Sequence, residues 1–331
     1  MDESVAWEDI LRRMIASEAS DLHMAPQQPV RVRRDGVLAA EPFLPTAACM
    51  ELLLHEMLTE EQRTAVRVRD VDFAWTYAGR RFRGNVYRMQ EGVGLALRLL
   101  PARIMTPEEI HMPPALQSLS EAHDGLALIC GATGAGKTTT LAALIEAINQ
   151  TRSVHIITLE DPIEYVFSPV HSFLSQREAG RDFSSFADAV RSALREDPDI
   201  LLVGEIRDRA TMEAALMAAA TGVLVFGTLH TRSAAQTALR VEGMFPAEAR
   251  DTVRAQFADV LTGIFAQRLL PRKGGGRIAA FEALCATPAV RNILRQGSYS
   301  QLPSVMMSGA AQGMQTAEMA EKELRAKGMI A

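Results

Sequence analysis

The sequence predicts an α/β protein in which a small α/β domain precedes a larger domain built on a parallel sheet. From residue 120 onward, short continuous apolar runs alternate with helical segments, which is typical of a parallel sheet covered on both faces. Four prolines fall between residues 100 and 115 and favour a linker there. The length of 331 residues fits two domains of about 150 residues each.

The first 99 residues predict the small domain. Apolar residues recur at helical spacing over 5–17 and 47–66, and strand-like runs occupy 21–24 and 30–33, with a turn signal at Asp35-Gly36. Residues 71–77 and 80–88 alternate in hydrophobicity around Ala78-Gly79, which predicts a hairpin. Its second strand places Arg81 and Arg83 on one basic face.

Within the linker of residues 100–115, Thr106-Pro107 resembles a helix start, because Thr is a good N-cap and Pro suits the first helical position. Residues 116–331 form the second predicted domain, which is expected to be mostly helical after Pro246. Its predicted strands cover 126–130, 154–159, 200–203 and 223–227, and its predicted helices cover 137–148, 184–195 and 211–220.

Composition excludes several classes of protein. With 48% hydrophobic and 23% charged residues the chain is not disordered, and a net charge of −5 argues against a protein that coats nucleic acid. The three cysteines are far apart in sequence and no two of them form a CxxC pair, so neither a disulfide scaffold nor a tetracysteine zinc site is expected. The longest apolar stretch has 16 residues where a spanning helix needs about 20, so membrane association is expected only through partners.

One motif predicts nucleotide binding. Residues 131–138 match G-x-x-x-x-G-K-[ST] in full between a predicted buried strand and a predicted helix, the setting of a phosphate-binding loop. Only four of the 35 basic residues are lysines, and the first of them, Lys137, occupies the motif position that requires one. The alternative is a glycine-rich turn that binds nothing. The predicted nucleotide-binding residues are Gly131, Ala132, Thr133, Gly134, Ala135, Gly136, Lys137, Thr138 and Thr139, and the Thr138 hydroxyl is expected to bind Mg²⁺.

Carboxylates at strand ends point to hydrolysis. The strand at 200–203 is followed by Gly204 and Glu205, and the strand at 154–159 is followed by acids up to Glu164. Because parallel strands end at one edge of the sheet, these groups are expected near the phosphates, although each alone could be a solvated helix or strand cap. His230 follows the last predicted strand and could sense the γ-phosphate or be structural. No other His has metal-ligand spacing, so Mg²⁺ is the only metal expected.

Together these residues resemble the secretion ATPase superfamily, most closely the type IV pilus retraction ATPases, the PilT-like twitching motility proteins. The similarity covers nearly the whole chain. The matching segments are 19–23 (an N-terminal signature), 159–164 (the Asp box), 197–208 (Walker B, where Gly204 is usual), 228–231 (the His box), 289–296 (the retraction motif) and 313–316.

The resemblance implies a homohexameric ring of subunits, each with a PAS-like N-terminal domain and a RecA-like ATPase domain with ATP and Mg²⁺ between the two. It implies that Glu164 is the catalytic glutamate, that Glu205 organises Mg²⁺ and that His230 contributes to the site. Arg83 and Arg98 match arginines that complete such a site, though a solvated basic strand face is nearly as good an interpretation. Pilus retraction at the cytoplasmic face of the inner membrane, with a platform protein as partner, is the implied function.

Three positions depart from the family pattern: Val223 replaces a His of the His box, Gln296 a Glu of the retraction motif, and Ala220 another Glu. The lack of an extra N-terminal domain and of a tetracysteine element favours the retraction branch. A retraction paralogue or a short secretion or conjugative-pilus ATPase remains an alternative. A DNA translocase and a scaffold that binds ATP without hydrolysing it are two further alternatives.

Overall fold

The computed structural model describes residues 3–34, 37–90 and 92–331. The chain forms two compact units, one comprising Met1–Arg103 with Pro162–Tyr165 and the other Ile104–Asp161 with Val166–Ala331. Residues 104–115, which the prolines suggested as linker, therefore belong to the second unit. The turn expected at Asp35-Gly36 lies outside the described residues.

The helices are α1 (Glu3–Ala16), α2 (Ala47–Met57), α3 (Glu60–Val66), α4 (Pro114–Gln117), α5 (Lys137–Thr151), α6 (Phe186–Ala193), α7 (Arg209–Ala220), α8 (Ala234–Gly243), α9 (Arg250–Val260), α10 (Pro288–Gln296), α11 (Leu302–Ser308) and α12 (Ala317–Ala326). The strands are β1 (Asp21–Met24), β2 (Arg31–Arg34), β3 (Val37–Ala40), β4 (Val71–Tyr77), β5 (Arg80–Met89), β6 (Gly92–Leu99), β7 (Gly125–Cys130), β8 (His155–Glu160), β9 (Phe173–Glu178), β10 (Ile200–Val203), β11 (Leu224–Leu229), β12 (Leu261–Pro271) and β13 (Arg277–Cys285).

The first unit is an antiparallel sheet of six strands in the order β3-β2-β1-β6-β5-β4. The hairpin predicted around Ala78-Gly79 is β4 and β5. Helix α1 buries Leu11 and Met14 in the core, and Trp7 packs against Trp75 with ring centroids 5.7 Å apart. The single helix expected over 47–66 is instead α2 and α3, because Thr59 forms a capping box that starts a second helix.

The second unit contains a seven-stranded sheet in the order β13-β12-β7-β11-β10-β8-β9. All neighbouring strands from β12 to β9 are parallel, and β13 pairs with β12 in the antiparallel direction. The central strands β7, β10 and β11 are buried along their whole length, as predicted from their continuous apolar sequence. The α/β fold class is thereby confirmed.

Two local predictions need correction. Helices predominate after Pro246, as predicted, but residues 261–271 and 277–285 form the strands β12 and β13, which the sequence did not predict. Residues 107–111 form turns instead of a helix, although the Glu109 carboxylate accepts from the Thr106 N–H at 2.9 Å as in a capping box. The positive φ of +54° at His111 and the prolines after it prevent these turns from continuing as a helix.

The helices in the described part of the chain include none that is both long enough and apolar enough to cross a membrane.

Candidate functional site

The phosphate-binding loop follows β7 directly and leads into α5. Gly134 and Gly136 have φ of +76° and +89°, a region that glycine adopts without strain. Gly136 is the N-cap of α5, so the loop presents the amino end of a 15-residue helix, where anions bind favourably. The local geometry is therefore that of a phosphate cradle.

Lys137, the first residue of α5, is directed back onto the loop. Its Nζ donates to the carbonyl oxygens of Gly131 and Ala132 at 2.8 and 3.2 Å, and the residue is only 9% exposed. Burial lowers the pKa of the ammonium group, and the negative charge of Glu205 opposes that shift. A buried cation that donates to two backbone carbonyls is well placed to exchange them for phosphate oxygens.

A glutamine that the sequence did not single out supports the loop from the neighbouring strand. Gln267 lies on β12, and its Oε1 accepts a 2.8 Å hydrogen bond from the Thr140 hydroxyl of α5. A Cβ at Gly136 would come within 2.9 Å of Gln267 Nε2, so only glycine fits that position without displacing the glutamine. Gln267 therefore fixes the distance between the loop and the sheet.

The carboxylate expected at the end of β10 is held by an arginine and a histidine. Glu205 Oε1 lies 2.8 Å from Arg207 Nε and 3.0 Å from His230 Nε2. Burial alone would raise the pKa of Glu205, but the hydrogen bonds and charges of Arg207 and His230 outweigh burial and lower it. Glu205 is thus a carboxylate at neutral pH.

Gly204 stands where many P-loop enzymes have Asp, and the packing explains why. A Cβ at this position would lie 2.9 Å from the Leu159 carbonyl oxygen on β8, and the Gly204 N–H donates to that oxygen at 2.8 Å. The two backbones are too close for a side chain. Glu205 is consequently the first position after β10 that can supply a carboxylate.

His230 follows β11, which lies between β7 and β10 in the sheet. Leu229 pairs with Cys130, so His230 emerges beside the start of the phosphate-binding loop. The structure brings Lys137, Glu205 and His230 to the carboxyl edge of one sheet. Their roles in catalysis stay predictions.

Three predicted site residues belong to the first unit. Arg83 on β5 pairs in register with Arg98 on β6, and Arg83 Nη1 lies 3.6 Å from Glu164 Oε1. Arg98 Nε lies 2.8 Å from Asp21 Oδ1, in the segment that resembles the N-terminal signature. Arg81, Arg83 and Arg98 share one basic face of the sheet by strand register. Arg83 and Arg98 each already have a carboxylate partner.

The other acids of the Asp box have different surroundings. Glu160 is buried and its Oε1 accepts from Thr158 Oγ1 at 2.7 Å and from Gln176 Nε2 at 3.2 Å, which gives it a structural role at the end of β8. Asp161 is exposed. Val223 is buried just before β11, at the opposite end of that strand from His230.

A cavity of about 330 Å³ in the second unit adjoins the loop at Gly136, Thr139 and Thr140. The sequence did not predict it, because its wall is completed by the proline-rich segment and the β12–β13 hairpin. Apolar side chains form much of the wall, with arginines at one side, a composition that suits a flat base and a sugar. The apolar and arginine residues of the wall are Met105, Ile110, Leu269, Ile278, Arg272 and Arg277.

The retraction-motif residues form α10, capped by Thr287. Val290, Ile293 and Leu294 are buried in the core of the second unit, whereas Gln296 is exposed. Arg295 Nη2 lies 2.6 Å from Asp259 Oδ1 of α9. The helix therefore presents a polar face, on which the departure at Gln296 lies.

Comparison with known proteins agrees with this geometry. The chain is 42% identical over 315 residues to the type IV pilus retraction ATPase PilT of Pseudomonas aeruginosa, covering 94% of this chain and 92% of that protein. It is 44% identical over 264 residues to a twitching motility protein of Neisseria gonorrhoeae, covering 79% of this chain and 71% of that protein. The crystal structure of the pilus retraction motor PilT with bound ADP superposes with a TM-score of 0.90 at 42% identity, covering 98% of this chain and 94% of that one. Residues 3–275 match the model of the Type II/IV secretion system protein family, and the chain belongs to that family.

Proposed function

We propose that this chain is the subunit of an ATPase motor that hydrolyses ATP to drive type IV pilus retraction and twitching motility. One observation carries the proposal: Lys137, Glu205 and His230 meet at one sheet edge in a chain that is 42% identical to a pilus retraction ATPase over nearly its full length. The chain is a P-loop ATPase, and the similarity to PilT favours retraction over secretion or conjugation.

ATP binds with its phosphates on the loop of residues 131–139 and its base in the adjoining cavity. The backbone N–H groups of the loop and the start of α5 face the β- and γ-phosphates, and Lys137 leaves the Gly131 and Ala132 carbonyls to bind them. The apolar wall around Leu269 and Ile278 takes the base.

The residues present also fit Mg²⁺. Thr138 follows the lysine of the loop, and Glu205 is an ionised carboxylate at the same edge. Mg²⁺ in nucleotide sites is usually held by substrate phosphates, water and one or two protein groups, and Thr138 and Glu205 are the two that this chain offers. When bound, Mg²⁺ supplies charge neutralisation at the β- and γ-phosphates.

Glu164 acts as the catalytic base. It accepts a proton of the attacking water while the water oxygen bonds to the γ-phosphorus, the bond from the γ-phosphorus to the bridging oxygen breaks, and ADP and inorganic phosphate leave. Arg83 and Arg98 stabilise the charge that develops on the transferred group. To do so, Arg83 must leave Glu164 and Arg98 must leave Asp21, and each must then bind phosphate oxygens instead.

The motor works as a homohexamer at the cytoplasmic face of the inner membrane, where it acts on a pilus platform protein. This part of the proposal is supported by the similarity to PilT. Membrane contact is made only through that partner, and nucleic acid is not a ligand, in keeping with the net charge of −5.

The test is steady-state ATP hydrolysis by the purified full chain with and without Mg²⁺. We expect Glu205→Gln to bind a fluorescent ADP like the wild type but to hydrolyse ATP at least ~10²-fold more slowly, because the carboxylate that organises Mg²⁺ is lost and charge stabilisation by the metal is worth several kcal/mol. The matched control is Glu196→Gln, an acid paired with Arg177 at 3.2 Å on the surface of the same unit, which should keep wild-type turnover. Undiminished turnover by Glu205→Gln, or turnover that requires single-stranded DNA, contradicts the proposal.

A further inference from the structure

One carboxylate in the second unit has a position that the proposed reaction does not explain. Glu282 lies on β13, opposite Ala266 of β12, and its Oε1 accepts a 2.6 Å hydrogen bond from the N–H of Ala234. The N–H of Ala317 also stabilises the ionised form of the same carboxyl group. Burial nevertheless raises the pKa of Glu282, so keeping a charge here has a cost that an apolar side chain would avoid.

The two amides belong to the first residues of two different helices. Ala234 begins α8, whose N-cap is Ser233, and Ala317 begins α12, whose N-cap is Thr316. An acid is favourable at a helix amino end, and Glu282 lies at the start of α8 through its hydrogen bond to the Ala234 N–H. Its neighbour Ala283 pairs with Gln315, two residues before α12 begins. Together they join elements that are more than 80 residues apart in sequence.

On the α8 side, Glu282 holds the loop that carries His230. Only residues 231–233 separate His230 from Ala234. The hydroxyls of Thr231 and Thr237 lie 2.6 Å apart, and Thr237 Oγ1 contacts Cys130 Sγ at 3.1 Å, directly before the phosphate-binding loop. The start of α8 is thus fixed between Glu282 on one side and the end of β7 on the other.

On the α12 side, the same hairpin holds the segment after the retraction motif. Gln315 and Ala283 exchange two backbone hydrogen bonds of 2.9 and 3.0 Å. Arg268 donates to the Ala317 carbonyl oxygen at 3.2 Å and lies 3.0 Å from Glu321. Glu282 and its neighbour Ala283 therefore connect the start of α8 to the segment that leads into α12.

We propose that Glu282 is a positioning residue that sets the His230 loop for the γ-phosphate and couples that loop to the amino end of α12. The proposal rests on the proposed function, because it needs ATP on the loop of residues 131–139 and takes His230 as the residue that senses the γ-phosphate. It makes the C-terminal helix responsive to the difference between ATP and ADP.

The first experiment compares Glu282→Ala and Glu282→Gln with the control Glu323→Gln, whose carboxylate pairs only with Lys327 on the exposed side of α12. Misplacement of a reacting group by about 1 Å costs up to ~10²-fold in rate. We expect kcat to fall ~10- to 100-fold in Glu282→Ala and less in Glu282→Gln, which keeps one accepting oxygen. Affinity for a non-hydrolysable ATP analogue should fall at least ~5-fold relative to the affinity for ADP.

A purely structural role would lower the melting temperature and weaken ADP and the ATP analogue equally, and that result overturns the proposal. A kcat of Glu282→Ala within twofold of the wild-type value also overturns the proposal. The proposed function is tested separately by Glu205→Gln, because full activity of that variant discredits the site itself whatever Glu282 does.

The second experiment measures hydrogen exchange of the peptide covering residues 313–321. In the wild-type protein we expect its exchange to change between the ADP and ATP-analogue states. In Glu282→Ala this difference should disappear while peptides of α5 still respond to nucleotide. An unchanged α12 response in the variant overturns the coupling.

Discussion

Replacing Lys137 by Ala should separate nucleotide binding from folding. The ammonium group is buried, its pKa is lowered by that burial, and it forms two hydrogen bonds to the loop carbonyls. Loss of those bonds is offset by relief from burying a charge, so the free energy of unfolding without nucleotide should change by less than about 1 kcal/mol.

Adding nucleotide should separate the stability of the wild-type protein from that of Lys137→Ala. A ligand at 100 times its Kd stabilises the folded state by about 2.7 kcal/mol, and a 100-fold weaker Kd leaves only about 0.4 kcal/mol at the same concentration. For a unit of this size each kcal/mol shifts Tm by about 2–4 °C. Wild-type protein should therefore gain roughly 5–10 °C with saturating ADP and Mg²⁺, and Lys137→Ala only about 1 °C.

The assay is thermal unfolding with and without ADP, and the control is Lys322→Ala, which removes an exposed lysine of α12. The control should show the full nucleotide shift. An equal shift in Lys137→Ala, or a loss of several kcal/mol of stability without nucleotide, would refute the placement of Lys137 at the phosphates.

Three further predictions concern assembly and packing. Mixing Arg83→Ala subunits with Glu164→Gln subunits should restore part of the ATP turnover if the arginine acts across a subunit boundary, whereas inactive mixtures at every ratio would show that it acts within its own chain. Gly204→Asp should misfold or lose several kcal/mol in chemical unfolding, because its Cβ would lie 2.9 Å from a backbone oxygen, and a stable, active variant would contradict this packing. Arg254→Met should cost about 2–4 kcal/mol in urea unfolding, since it leaves the buried Glu242 without its 2.7 Å partner, and an unchanged midpoint would show that Glu242 is solvated.

The fold could be predicted where sequence pattern and environment agree. Strands β7, β10 and β11 are buried throughout and read as continuous apolar runs, so their assignment to a parallel sheet was secure. Strands β12 and β13 were missed because their Leu, Ala, Gln and Arg content favours helix, and they become strands through the pairing of β12 with β7 and of β13 with β12. The polar edge strand β9 was missed for the same reason.

The positions of Lys137, Glu205 and His230 could be predicted because each belongs to a local motif or follows a predicted strand. The loop ending in Lys137 is a local motif, and Glu205 and His230 are strand-end residues that a parallel sheet must bring to one edge. Gln267 and the cavity beside the loop could not be predicted, since Gln267 meets Thr140 across 127 residues and the cavity wall includes a segment interpreted as linker. The PAS-like classification of the N-terminal domain stays a prediction.

The central claim is that ATP hydrolysis at this site drives pilus retraction. The most direct measurement is the rate of retraction of single, fluorescently labelled pili in cells whose own gene is replaced by the Glu205→Gln variant. Pili should still assemble, but their retraction rate should fall by at least ~10²-fold, in proportion to the loss of ATP turnover in the purified variant. Retraction at the wild-type rate in cells whose variant protein has lost ATP turnover would contradict the central claim.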